Sequence, residues 1–329
     1  MTAERNVKWG IMGPGGISGT FASDLIFAGG AEIVAVAGRS KEKAEAFASK
    51  HGIPRFYGSC EELANDPEAE IVYVGTLHTI HKENVMTLLR GGKSVLCEKP
   101  FTINAAEAKE IVEYAKERGL FVMEAMWTRY LPPIRQVREW LKSGIIGEVK
   151  LVKAEFGFDA GWNPEGRLLN KEMGGGTLLD AGIYPVSFAS MVFGAQPARI
   201  MSTVHIGETG VDERFSLLFE YESGAAASLH GSVQLEMSNE AWIYGTKGKI
   251  HVPQFLFARK ATLYVNGEEP VTVEDDRTFT GHSYQAVEAM ACLREGRTES
   301  AAMPLDETLR IMETLDSIRA QWGLKYAGE

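Results

Sequence analysis

A glycine-rich turn, Gly13-Pro14-Gly15-Gly16-Ile17-Ser18, stands directly after the apolar run Val7–Met12 and before a helical pattern. A buried strand that ends in such a turn and opens a helix is the context in which a backbone wraps a dinucleotide pyrophosphate. Gly13 permits the tight turn, and Gly15 lets the main chain approach the phosphates. Gly16 and Ile17 stand at the helix start and complete the candidate cradle. Ser18 occupies a position usually held by glycine or alanine, and it is small enough for close helix–strand packing. Taken alone, the turn is also compatible with an ordinary tight loop.

The runs that follow favour the first reading. Residues 33–37, Ile71–Val74, 94–97 and 120–123 are short, nearly continuous in apolar side chains and rich in Val and Ile. Parallel strands covered on both faces have this composition. Between them Ala108, Ile111, Val112 and Ala115 recur at helical spacing, with Asn104 and Glu107 as a partial capping box. Gly91-Gly92 and Gly119 supply helix stops. The pattern predicts a doubly wound α/β Rossmann domain over residues 1–124.

After residue 124 the rhythm changes, and residues 125–329 predict a separate α+β domain. A helix over 130–143 carries Ile134, Val137, Trp140 and Leu141, with Pro132-Pro133 near its start. Longer alternating strands follow: Val152, Ala154, Phe156 and Phe158 share one face, as do Phe215, Leu217, Phe219 and Tyr221. Glu222-Ser223-Gly224 and Gly245-Thr246-Lys247-Gly248 signal turns. Helices are expected over 283–295 and Leu305–Trp322. This half reads as an open, largely antiparallel sheet with helices against one face.

The formal net charge of -10 over 329 residues argues against a broad nucleic-acid surface. No apolar run approaches the roughly 20 residues of a membrane span, so no membrane partner is expected. The first residues reach a strand at once without an apolar signal segment. Cys60, Cys97 and Cys292 are far apart and lack metal or disulfide spacing, so no metal site is expected and a reducing cytoplasm fits. Cys97, beside Glu98-Lys99, reads as a small residue at a buried strand end rather than a reactive thiol.

The second strand ends Gly38-Arg39-Ser40. No acidic residue stands there to bind a ribose 2′-hydroxyl, since Glu32 lies at the wrong end of the strand. Arg39, Ser40 as helix N-cap, and Lys43 (with Lys41) would instead meet a 2′-phosphate. The pattern predicts NADP, with NAD as the other candidate cofactor; the alternative is a set of solvated surface cations. Two segments carry candidate chemistry. Glu98-Lys99-Pro100 places a lysine at a strand end, where it can position a cofactor and polarise a substrate. Asp180 and Tyr184, in Gly174-Gly175-Gly176-Thr177-Leu178-Leu179-Asp180-Ala181-Gly182-Ile183-Tyr184-Pro185, share a helix face. Pro185 has no amide proton and predicts a kink or a new helix start there. Tyr184 could move a proton to or from a carbonyl or hydroxyl oxygen, and an ammonium such as Lys99 would lower its free pKa of about 10. From spacing alone, an Asp–Tyr pair is equally an ordinary surface-and-core pair.

These motifs resemble the glucose–fructose oxidoreductase/inositol dehydrogenase/rhizopine-catabolism (Gfo/Idh/MocA) family over nearly the whole chain. The glycine turn, Glu98-Lys99-Pro100, Gly175-Gly176 and Asp180-x-Gly182-x-Tyr184 carry the resemblance. Most members have histidine at the last position. The tyrosine here, with Tyr73-Val74-Gly75-Thr76, Met123-Glu124-Ala125-Met126-Trp127-Thr128-Arg129 and residues 179–185, is similar to the dimeric dihydrodiol dehydrogenase branch, which also acts as an NADP-dependent D-xylose 1-dehydrogenase. The resemblance implies that Lys99 is the catalytic lysine, Tyr184 the proton-transfer tyrosine, Asp180 the substrate-orienting acid and Arg39 a 2′-phosphate contact. The family often has Pro-Asn where this chain reads Thr76-Leu77-His78-Thr79-Ile80-His81. His81 keeps the usual histidine place, the alternative being a helix-start histidine satisfied by solvent. Thr76, His81, Glu98, Lys99 and Trp127 complete the cofactor candidates.

Trp127, Phe156, Phe158, Trp162 and Phe279 are candidates for an aromatic substrate wall. Strand alternation favours a core role for Phe156 and Phe158, whereas Trp162 lies in a turn-rich stretch. The expected function is NADP-dependent hydride transfer to or from a ring carbinol of a sugar or cyclic trans-diol. Two alternatives stand beside it: NADPH-dependent reduction of a sugar ketone, and a non-catalytic NADP-sensing protein on the same fold. The resemblance implies a homodimer or higher homo-oligomer through the C-terminal sheet.

Overall fold

The computed structural model describes residues 5–327 and 329. The chain divides into two compact units: residues up to Trp127 with Phe279–Leu309, and Thr128–Thr278 with Arg310–Glu329. The chain passes between the units three times, at 127/128, 278/279 and 309/310. The segment that returns to the first unit buries Ala286, Ala289 and Met290.

Among the described residues the first unit holds a six-stranded sheet: β1 (Val7–Met12), β2 (Ala31–Ala37), β3 (Arg55–Tyr57), β4 (Ile71–Val74), β5 (Ser94–Glu98) and β6 (Val122–Ala125). All pairs are parallel, in the order β3-β2-β1-β4-β5-β6. Helices α1 (Gly16–Leu25), α2 (Lys41–His51), α3 (Cys60–Ala64), α4 (His81–Arg90) and α5 (Ala105–Arg118) alternate with the strands. The expected caps form: Lys43 N–H donates to Ser40 Oγ (3.2 Å) and Glu107 N–H to Asn104 Oδ1 (2.9 Å). Phe21 of α1 stacks on Tyr73 of β4 at 3.9 Å, with Trp9 of β1 tilted beside it at 5.4 Å. The sheet order reverses between β1 and β4, and the glycine turn leaves β1 at that switch point.

Strand β3 is absent from the sequence reading because it is three half-buried residues at a sheet edge, with no apolar run to mark it. It is anchored by charge. The Arg55 fork holds Asp66 (Nε–Oδ2 2.7 Å), which also accepts from Tyr57 Oη (2.8 Å). Burial alone would raise the Asp66 carboxyl; hydrogen bonds from Arg55, the amides of Ala69 and Glu68, and Tyr57 outweigh it and lower the carboxyl to about 2. A depressed carboxyl stabilises the fold above its unfolded value of 3.8 and loses that contribution as pH falls through about 2. The stake is about 2 kcal/mol. Denaturant melts between pH 2 and 5 are expected to show this acid loss flattened in Asp66→Asn; equal acid slopes would contradict the assignment.

The second unit is built on an eight-stranded sheet: β7 (Val149–Gly157), β8 (Arg199–Ile206), β9 (Asp212–Glu220), β10 (Ala226–Ser232), β11 (Ala241–Gly245), β12 (Gly248–Val252), β13 (Lys260–Val265) and β14 (Val271–Glu274). Its order is β14-β13-β12-β11-β7-β10-β9-β8, and only β7 and β10 pair in parallel. Val152, Ala154 and Phe156 are buried along one face of β7, as are Phe215, Leu217 and Phe219 along β9. Helix α6 (Pro132–Ser143) packs on β13 and β14, and α7 (Ile183–Phe193) on β7 and β10. Helix α6 starts later than expected because residues Trp127–Tyr130 form a 3-10 turn. Helix α8 (Ser283–Arg294) belongs to the first unit, where it packs on α1. In α9 (Leu305–Trp322), Trp322 Nε1 donates to Ser202 Oγ of β8 at 2.9 Å.

The stretch Lys171–Phe193 contains an 18-residue window of mean hydropathy 1.2, enough by length and composition for a span, but 78% of that window is buried within the protein. Its apolarity comes from enclosure in the second unit's core.

Candidate active site

The glycine turn is shaped by close approaches that sequence spacing only hints at. Gly13 has φ +95°, and a Cβ there would lie 2.7 Å from Thr76 Cγ2. Thr76, a cofactor candidate, thus backs the turn, and its Oγ1 accepts from Asn84 Nδ2 at 3.1 Å. Ser18 is fully buried, and a Cβ on Gly75 would lie 2.3 Å from its Oγ. The extra bulk of serine at the third fingerprint position is therefore offset by glycine at the end of β4. Gly15 is the N-cap of α1; no side chain caps that helix, and its first turn holds no acidic residue. A Cβ on Gly16 would meet nothing within 4 Å. A helix start with no side-chain cap and no acid in its first turn fits a pyrophosphate, so the residues at Gly13, Gly15, Gly16 and Ile17 suit a dinucleotide.

At the end of β2, Arg39 is exposed and Ser40 half-buried. One neighbour escaped the sequence reading. Glu42 accepts the Ser40 hydroxyl at 2.8 Å, so a carboxylate does stand near the proposed 2′-phosphate contact, on the helix rather than the strand.

At the end of β5, Glu98 is buried, and the Lys99–Pro100 peptide is cis. Glu98 Oε1 accepts from Tyr73 Oη at 2.7 Å, and Oε2 from the Lys99 amide at 3.3 Å. Burial pushes this carboxyl up, opposed by His282, Lys99 and the Tyr73 hydrogen bond. His81 is buried rather than solvated: Nδ1 lies 3.0 Å from the Pro100 carbonyl and Nε2 3.1 Å from that of Thr76. Its imidazole ties the lysine turn to the β4 loop. Cys97 is fully buried and its thiol pushed well up by burial, in keeping with an inert strand-end residue.

Trp127 is 2% exposed and stacks on His282 at 4.3 Å. Sequence reasoning missed His282 and its anchor, Asp24 of α1. The Asp24 carboxylate accepts from the Thr280 hydroxyl (2.5 Å) and from the amides of Gly281 and His282 (2.8 Å each). Burial opposes ionisation, but these hydrogen bonds and that of His282 hold the carboxyl well below the usual range. Phe279 stacks on Phe27 at 4.4 Å, within the first unit.

In the second unit, Asp180 lies on a π-turn, Leu178–Gly182, that runs directly into α7, whose second residue is Tyr184. Pro185 cannot donate to the carbonyl four residues back, and the wider turn is the local solution. Gly182 lets this turn press onto the sheet, since a Cβ there would lie 2.6 Å from the Phe215 ring. Tyr184 is 7% exposed and sits edge-on to Phe156 at 5.7 Å. Trp162 is 55% exposed on its loop. Asp180 Oδ1 accepts from Arg167 at 2.6 Å, a partner for which the sequence gives no signal. Arg167 is brought there because the 167–170 backbone wraps the glycines: Gly175 and Gly176 donate to the Asn170 and Leu168 carbonyls, both at 2.9 Å.

Residues 7–126 match the model of an oxidoreductase family with an NAD-binding Rossmann fold, and residues 134–251 match the GFO/IDH/MocA C-terminal domain. Full-length relatives agree. The chain is 42% identical to trans-1,2-dihydrobenzene-1,2-diol dehydrogenase of Mus musculus, covering 97% of this chain and 98% of that one. It is 40% identical to the Homo sapiens enzyme of the same name at the same coverage. The chain belongs to the GFO/IDH/MocA oxidoreductase family. The fold of this family member is shared by an aldose-aldose oxidoreductase from Caulobacter crescentus (TM-score 0.87, 22% identity, 97% and 99% of the two chains). It is also shared by a 3-ketoreductase from Actinomadura kijaniata solved with NADP and TDP-benzene (TM-score 0.84, 23% identity, 96% and 98%). Membership makes the protein an NAD(P)-binding oxidoreductase.

Proposed function

We propose that the protein is an NADP-dependent dehydrogenase acting on a ring carbinol of a cyclic trans-diol or a sugar. The observation that carries this reading is a motif residue in its local setting. Tyr184, where most of the family has histidine, stands where the π-turn enters α7, edge-on to Phe156. Relatives at about 40% identity over nearly their whole length are named as dihydrodiol dehydrogenases. When bound, the nicotinamide supplies the hydride acceptor or donor. The chain's own residues do the rest. Tyr184 takes the proton from the substrate hydroxyl as the carbonyl forms, or returns it in reduction. Lys99 favours the phenolate. Asp180, oriented by Arg167, holds the neighbouring hydroxyl. Phe156 and Trp162 offer apolar faces to the ring. Arg39, Ser40 and Lys43 support NADP over NAD.

Reduction of a sugar ketone is the same chemistry read backwards; likeness to an NADP-bound 3-ketoreductase keeps it as the second reading. A homodimer is proposed through the exposed side of the second unit's sheet, where Trp242 stacks on His251 at 3.9 Å and Lys249 lies over the Trp242 and Tyr264 rings. The reading is tested by following NADPH absorbance with NADP or NAD and a panel of trans-dihydrodiols, D-xylose, D-glucose and inositols. Turnover of a diol or aldose with NADP is expected. Tight NADP binding with no turnover across the panel, in either direction, would leave a cofactor sensor instead.

A further inference from the structure

The helix that carries Asp180 and Tyr184 is held at its first residue by a buried acid. Asp212, at the start of β9, is fully buried, and its Oδ2 accepts the Leu178 amide at 2.6 Å. Leu178 opens the π-turn. The other oxygen, Oδ1, is buried with no hydrogen-bond partner among the described residues. It lies over the Gly176 backbone, where a Cβ would come within 2.2 Å of it and within 3.0 Å of Tyr326 Oη. Gly176, with φ +127°, is therefore held open to admit this carboxyl group. Tyr326 in turn donates to the Gly175 carbonyl at 2.6 Å. Farther along, the buried Arg129 Nη2 donates to the Ser187 carbonyl at 2.9 Å, three residues past Tyr184.

We propose that Asp212 is a positioning residue for this site, setting Asp180 and Tyr184 through the Leu178 amide and coupling their placement to pH. The inference rests on the proposed roles of Tyr184 and Asp180. It requires that Asp212 be more comfortable neutral than ionised, which its surroundings support. A buried anion with one unpartnered oxygen is costly, and protonation removes that charge. Burial pushes the carboxyl up to about 7; the amides of Leu178, Asp212 and Thr177 and the Arg319 guanidinium pull the other way. The charged groups around it are few. From α9 comes Arg319, engaged by Asp316 and Glu329, each at 2.6 Å; from the C-terminal segment comes Tyr326. On its own strand the neighbour is Glu213, and Asp180 on the π-turn is turned to Arg167. The sign follows from linkage. The closed state binds the proton more tightly than any state that exposes Asp212. Local opening therefore grows easier as pH rises from about 4 to about 7, by at most tenfold per unit, and then levels off.

Hydrogen exchange of residues 174–184, corrected for intrinsic rates, tests this on the whole protein without substrate. Protection is expected to fall between pH 5 and 7 in the wild type and to stay flat in Asp212→Asn, which keeps the acceptor and loses the charge. Asp212→Ala removes the acceptor, and its kcat is expected to drop about 10- to 100-fold. NADP affinity should be unchanged, and Asp212→Asn should restore the rate. Wild-type protection independent of pH would overturn the proposal, as would Asp212→Ala turning over like wild type. If Asp212→Ala does not fold, the wild-type exchange profile decides. If the wild type turns over no diol or sugar, the functional reading falls while the exchange profile still decides this inference.

Discussion

Tyr184→Phe is expected to lower turnover about 10²- to 10⁴-fold, the usual worth of a positioned acid or base. NADP affinity should stay within about twofold of wild type, well under the 1.4 kcal/mol that a tenfold change represents. The substitution removes one hydroxyl and keeps the ring, so the edge contact with Phe156 and the enclosure of the side chain survive. Loss of activity would then report chemistry rather than folding, and an unchanged thermal midpoint is the control. Lys99→Met is expected to lose turnover as well. If lysine and tyrosine serve one proton transfer, the double variant should lose much less than the product of the two single losses. Steady-state NADPH formation and fluorescence titration with NADP measure both quantities. Full activity in Tyr184→Phe would remove the tyrosine from the mechanism.

Arg39→Ala is expected to weaken NADP binding about 10- to 100-fold, the range of one or two charge-assisted hydrogen bonds. NAD binding should change little, because the only difference between the ligands is the 2′-phosphate. The guanidinium is exposed, so the preference should also shrink as salt rises. Glu42 makes the test two-sided. Its carboxylate holds the Ser40 hydroxyl and would repel a phosphate held there. Glu42→Gln is therefore expected to move the preference further toward NADP. Titrating both cofactors against wild type and the two variants reads the result; an unchanged NADP/NAD ratio in Arg39→Ala would return the basic cluster to ordinary surface charge.

Much of this was legible in the sequence because it rests on local rules. The parallel strands showed as short apolar runs, Ser40 and Asn104 as caps, and the glycine turn as a fingerprint. Even the irregular start of α7 was signalled by Pro185. What was not legible depends on partners distant along the chain. Asp24 is an unremarked helix residue until the Thr280–His282 backbone closes on it, more than two hundred positions later. Asp212 reads as the polar start of a strand until Leu178 is placed on it. Arg167 reaches Asp180 only through the wrapping of a loop around three glycines. Strand β3 has too few apolar residues to announce itself, and the return of α8 to the first unit has no local marker.

A hydride is expected to pass directly between a substrate carbinol carbon and the nicotinamide. D-xylose deuterated at C1, or a trans-dihydrodiol deuterated at its carbinol carbons, tests it when incubated with the protein and NADP. Mass spectrometry of the reduced cofactor is expected to show one deuterium per NADPH formed. Unlabelled NADPH, or no reduced cofactor from either substrate class, would contradict the account.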